Sequence, residues 1–177
     1  MRVLAFDPGF ERLGVAVVEK INGPSTSLRV NKEILVHSEC VRTPATAPFS
    51  ERLALLGKAA EGLIKKYRPD AVSLEDVYFA KNEKTAMKVA EVRGILVFLA
   101  ASKGIPLYEY TPSEVKVAIT GYGKSDKTAV AAMVARLVSL PQKIRLDDEV
   151  DAIAVGLTCL ACEASAKKVL ASVRNLS

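Results

Sequence analysis

The sequence predicts an α/β protein, with a mixed β-sheet covered by helices on both sides. Three observations carry that expectation. The first 42 residues hold short apolar runs separated by turn residues, the pattern of paired strands. Beyond them, helical periods alternate with further short apolar runs. The chain has 177 residues, 50% hydrophobic and 25% charged, which fits one domain with a real core and excludes a disordered polar chain.

Residues 2–7 read as a strand buried on both faces, because Val3-Leu4-Ala5-Phe6 offers no polar side. Gly14 to Val18 is its expected hairpin partner, and residues 28–42 read as extended after the break at Gly23-Pro24-Ser25. Pro44 to Pro48 forms a loop. A helical period then runs from Glu51 to about Tyr67 and stops at Arg68-Pro69-Asp70. Ala71 to Glu75 is a short strand. Asn82 is placed to cap a helix reaching Ser102, with Lys103-Gly104 as its stop. Ile105 to Tyr110 is the next strand, and helices are expected near 112–119, 126–139 and 148–171. Residues 1–165 are read as one domain and 166–177 as a basic C-terminal tail, either an arm or a disordered end.

Several classes fall away early. No apolar run reaches the length of a membrane span, and Met1-Arg2 leads straight into a strand rather than a signal peptide, so a cytoplasmic protein is expected. Three cysteines give no disulfide framework, and Cys159 and Cys162 lie in an apolar helical stretch where buried thiols are expected. His37 is the only histidine, which excludes a multi-histidine metal site.

Charge is unevenly placed. Lys116, Lys124, Lys127, Arg136, Lys143 and Arg145 face one acid, Asp126, so this window carries the whole net charge of +5. A basic block suits a phosphate backbone as partner. Acids, in turn, gather where strands end. Asp7 closes the first strand before Pro8-Gly9, and Glu75 closes the strand at 71–75. Asp148 and Asp151 are three apart at a helix start and share a face. Asp147 lies four before Asp151 and competes with Asp148 for the same face. A set of four carboxylates is the donor set Mg²⁺ takes, and two ions about 3.5–4 Å apart suit phosphodiester hydrolysis.

These residues carry a resemblance. Phe6-Asp7-Pro8-Gly9 with Gly14, and Leu74 through Asn82, are similar to the RuvC family of Holliday junction resolvases. Gly121 through Lys127 and Asp148 through Ala154 continue the likeness in the family's order. Arg42-Thr43, Arg93-Gly94 and Lys116 also fall at positions where the family has similar residues. The resemblance implies an RNase H-like (retroviral-integrase-like) fold, with a mixed five-stranded sheet flanked by helices. It implies a homodimer that makes paired symmetric nicks across a four-way DNA junction in recombination and repair. A RuvA–RuvB branch-migration motor is the partner it implies.

Carried onto this chain, the catalytic and metal-binding acids are Asp7, Glu75, Asp148 and Asp151, with Mg²⁺ or Mn²⁺ as cofactor, two ions per site. The family position three before the last acid is filled by Asp148. Lys116 and Lys127 match basic positions near the scissile phosphate. Tyr78 matches an aromatic position that meets distorted DNA, and Lys124 and Arg93 are further expected DNA contacts. The chain departs from the family at Ala90-Glu91-Val92-Arg93-Gly94, where Gly-Gln-Ala-Arg-Gly is common, and in a longer 22–36 region. Gly121-Tyr122-Gly123 reads only as a turn. Two other readings stay open: an RNA-processing nuclease of the YqgF type, and a junction-binding protein without cleavage. The Asp-x-Gly hairpin also opens actin-type ATP-binding proteins, but those need further phosphate loops and a longer chain.

Overall fold

The computed structural model describes residues 1–21, 32–76, 83–140, 147–162 and the two-residue strand 167–168. Strands β1 (Arg2–Asp7), β2 (Arg12–Ile21) and β3 (Lys32–Arg42) form an antiparallel meander. Helix α1 (Phe49–Tyr67) leads to β4 (Ala71–Glu75), and α2 (Glu83–Ser102) leads to β5 (Leu107–Tyr110). Helices α3 (Pro112–Thr120), α4 (Lys127–Leu137) and α5 (Asp147–Ala161) follow, then the short β6 (Lys167–Lys168). The sheet order is β3-β2-β1-β4-β5-β6, with β4 parallel to β1 and β5 parallel to β4. The five expected strands are present, and β6 adds a short antiparallel edge.

Alternation along β1 splits the core in two. Leu4 and Phe6 face a layer built with α1 and α2, including Leu56, Leu63, Val92 and Leu96. Val3 and Ala5 face the opposite layer, where α3, α4 and α5 contribute Val115, Ile119, Val130, Val134 and Leu157. Residues Ala152 to Leu160 are buried on every side, the behaviour of a helix that is apolar all round. Small residues let it lie close to the sheet: a Cβ on Gly156 would come within 2.8 Å of Val18 and 3.1 Å of Ala5.

The helical stretch expected over 148–171 ends ten residues early, at Ala161. Lys167–Lys168 instead pair with Tyr108 and Glu109 on the open side of β5. An edge strand offers unpaired backbone groups, whereas a longer α5 would run past the core that buries it. Part of the expected tail is thus joined to the sheet. Among the described residues no helix is long and apolar enough to cross a membrane.

Caps fix where α3 and α4 begin. Thr111 and Glu114 form a reciprocal capping box at the start of α3, with Pro112 at its first position. Asp126 accepts from the Ala129 N–H at 2.7 Å, which makes Lys127 the first residue of α4.

Candidate active site

Parallel pairing of β1 and β4 runs from Val3 opposite Ala71 to Phe6 opposite Leu74. Asp7 and Glu75 therefore leave the sheet side by side, at the carboxyl ends of two parallel strands, where α/β folds place their ligands. The N-terminus of α5 comes over the same end. A Cβ on Gly14, which pairs with Asp7 across the hairpin, would sit 2.0 Å from the Asp148 carbonyl oxygen and 3.1 Å from the Asp7 Cβ. Only a glycine allows that approach.

The first turn of α5 spreads its acids. Glu149 accepts from the Ser38 hydroxyl at 3.0 Å. Asp148 turns its Oδ2 to Arg12 Nη1 at 3.4 Å and to the Cys40 thiol at 3.8 Å. Asp151, one turn on, accepts from Lys127 Nζ at 2.8 Å. Asp147 is exposed.

A cavity of about 280 Å³ opens here, with Glu75, Asp151, Lys116 and Lys127 on its polar wall and Pro112, Val115 and Val130 on its apolar one. Beside it, burial pushes the Asp7 carboxyl up to about 8, helped by Glu75, Asp151 and Asp148 and opposed by Lys127. Burial also raises Glu75, again with Asp151 adding to it. The hydrogen bond to Asp151 raises the Lys127 ammonium, so it stays charged.

Hard carboxylate oxygens around a half-buried acid are the donor chemistry of Mg²⁺ or Mn²⁺, and the crowding of Asp7 by Glu75, Asp151 and Asp148 leaves its charge poorly compensated. Among the described residues no three such side chains already close around one point. Two acids are engaged elsewhere, Asp148 by Arg12 and Asp151 by Lys127. The residue types fit a divalent ion once those contacts relax.

Comparison with known proteins decides the family. The family model described as "Crossover junction endodeoxyribonuclease RuvC" matches residues 3–159. The chain belongs to the RuvC family. A RuvC of Leifsonia xyli is 41% identical over 157 residues, covering 89% of this chain and 72% of that one. A RuvC of Ruminiclostridium cellulolyticum is also 41% identical, covering 89% and 90%. The structure of Thermus thermophilus RuvC in complex with a Holliday junction substrate superposes with a TM-score of 0.85 at 32% identity, covering 96% of this chain and 99% of that one.

Within this RuvC-family chain, Asp7, Glu75, Asp148, Asp151, Lys116 and Lys127 converge on one end of the sheet. Lys124 is exposed on the loop before α4. Arg93 is held by Glu109 and by Asp76, the latter at 3.7 Å, so its guanidinium is engaged within the fold. Tyr78, Lys143 and Arg145 lie outside the described residues. Arg12 and Cys40 escaped the sequence reading. Nothing local marks them, since they meet Asp148 only through the crossing of α5 over β2 and β3.

Proposed function

We propose that this chain is a metal-dependent, structure-selective endonuclease that resolves four-way DNA junctions by paired symmetric nicks. One observation carries the reading: a half-buried carboxyl, Asp7, raised to about 8 among other acids, stands beside a cavity walled by two lysines. Family membership supports the same reading. Asp7, Glu75, Asp148 and Asp151 would hold Mg²⁺ or Mn²⁺, two ions per site. When bound, such ions supply Lewis-acid charge to a phosphoryl oxygen and a lower pKa to water.

The chain's own groups do the rest. Asp7 and Glu75, fixed on strand ends, set the position of the scissile phosphate. Lys127 exchanges its hydrogen bond with Asp151 for a non-bridging phosphate oxygen, and Lys116 lines the path to it, so positive charge stands where negative charge develops. Asp148 rather than Asp147 serves as the fourth acid, because Asp148 is half-buried and its charge bears on Asp7.

Paired nicks need two sites. On α2, Met87 and Phe98 are 71% and 68% exposed among the described residues and share a face with Glu91 and Gly94, a stripe suited to a second copy of the chain. A RuvA–RuvB motor would deliver the junction, in the cytoplasm.

The test is incubation with a labelled four-way junction, a linear duplex and an RNA/DNA hybrid, with and without Mg²⁺. Symmetric nicks are expected in the junction alone. They should vanish in Asp7→Asn and Asp148→Asn and persist in Asp147→Asn. Equal cutting of the hybrid overturns the reading.

A further inference from the structure

The loop from Thr120 to Asp126 joins the two elements that carry the cavity lysines. Lys116 sits on α3 before it, and Lys127 opens α4 after it. Its backbone is braced at Gly121, Tyr122 and Ser125. Gly121 ends α3 in the left-handed conformation, φ 78°, and its N–H donates to the Val117 carbonyl. The Thr120 hydroxyl donates to the Lys116 carbonyl at 2.8 Å and accepts from the Tyr122 N–H at 3.2 Å. Ser125 Oγ lies 2.7 Å from the same hydroxyl, and the Ser125 N–H donates to the Tyr122 carbonyl at 3.1 Å.

The backbone that carries the ring is thus held on both sides. The Tyr122 side chain is 61% exposed, so it adds little to the core. An aromatic ring on a rigid loop presents stacking area without an ordering cost on binding. It is also on the correct side of the sheet. A strand whose scissile phosphate reaches Glu75 and Asp151 also meets Lys116 and Lys127, the cavity lysines on either side of the α3–α4 loop. The α2 stripe belongs to the opposite layer, which separates Tyr122 from a dimer contact made there.

We propose that Tyr122 stacks on a nucleobase next to the scissile phosphate and that this contact biases which junction sequences are cut, because bases differ in stacking strength. The inference rests on the proposed junction-cleaving function and adds a specificity residue to it. Exposed Lys124 on the same loop takes a neighbouring phosphate, which positions the strand without reading it.

Junction binding without metal, and single-turnover cleavage in Mg²⁺, should be measured for wild type, Tyr122→Ala and Tyr122→Phe. The junctions differ only in the nucleotides around the nick. Loss of one stacked base predicts about tenfold weaker binding for the alanine variant and a flatter ranking among sequences. Tyr122→Phe, which keeps the ring, should stay within about twofold of wild type. Circular dichroism and thermal melting should match wild type, and Tyr122→Leu carries the test if the alanine variant unfolds. A Tyr122→Ala that binds and ranks as wild type overturns the inference, as does a Tyr122→Phe that loses as much as alanine. If wild type itself cuts no junction, the parent reading fails and this one with it.

Discussion

Asp7 and Arg52 are both charged groups drawn into the fold, and their surroundings differ in kind. Arg52, on α1, is only 7% exposed, yet its Nε donates to Thr43 Oγ1 at 2.8 Å and its Nη2 to the Phe10 carbonyl at 3.2 Å. Its guanidinium also lies 4.9 Å from the centre of the Phe10 ring. Asp7 has the opposite company, with Glu75, Asp151 and Asp148 all disfavouring its charge. A buried charge with neutral acceptors and a ring around it is a clamp. One crowded by like charges is a site waiting for a cation.

The sharpest break of that contrast is Asp7→Asn. Junction cleavage should fall at least about a thousandfold, the scale on which a central site group acts. Stability should move the other way. The Asp7 carboxyl titrates near 8 in the fold and near 3.8 in the unfolded chain, so the folded state binds the extra proton between those values. Its contribution is full below about pH 4 and is lost as pH rises toward 8. At pH 8 in a chelator, Asp7→Asn should therefore melt at least about 2–4 °C above wild type, which is about 1 kcal/mol in a chain this long. Adding Mg²⁺ should raise the wild-type melting temperature and leave the variant nearly unmoved. A variant less stable than wild type at pH 8 would remove the premise that Asp7 is strained.

Arg52→Met gives the reverse signature. It removes two charge-assisted hydrogen bonds, leaving Thr43 Oγ1 and the Phe10 carbonyl the bond they make to each other, and should cost about 1–3 kcal/mol in urea unfolding, while cleavage per folded molecule stays within about threefold. Lys127→Met sharpens the acid side. Removing the cation that offsets Asp151 should cut single-turnover cleavage about a hundredfold with little loss of junction affinity. The smallest effect is expected at Lys124→Ala. Binding should weaken a few-fold and equally across sequences, with the salt slope reduced by about one.

How much of the site was legible in the chain depends on sequence distance. Strand ends are local, so Asp7 before Pro8-Gly9 and Glu75 before Asp76 could be placed at the ends of strands without coordinates. The basic window around Lys116 and Lys127 was equally plain. Arg93 was not. The resemblance sets it among the DNA contacts, and its pairing with Glu109 can be read only once α2 lies against β5. Arg52 reads as one polar position in an amphipathic helix, and its burial depends on where Phe10 and Thr43 sit. The end of α5 at Ala161 was missed because apolar periodicity says nothing about a sheet edge free to pair.

The sequence by itself determined the two-sided strands, the carboxylates at strand ends and at the start of the last helix, and the basic window from Lys116 to Arg145, because residue type and short-range period are written in the chain. Only the tertiary structure decided how those groups pair. Arg12 meets Asp148 across 136 positions and Lys127 meets Asp151 across 24, distances at which pairing follows from how helices cross the sheet. It also decided that Asp7 is both partly withdrawn from water and surrounded by acids, since desolvation and like-charge repulsion exist only after β1, β4 and α5 have been brought together.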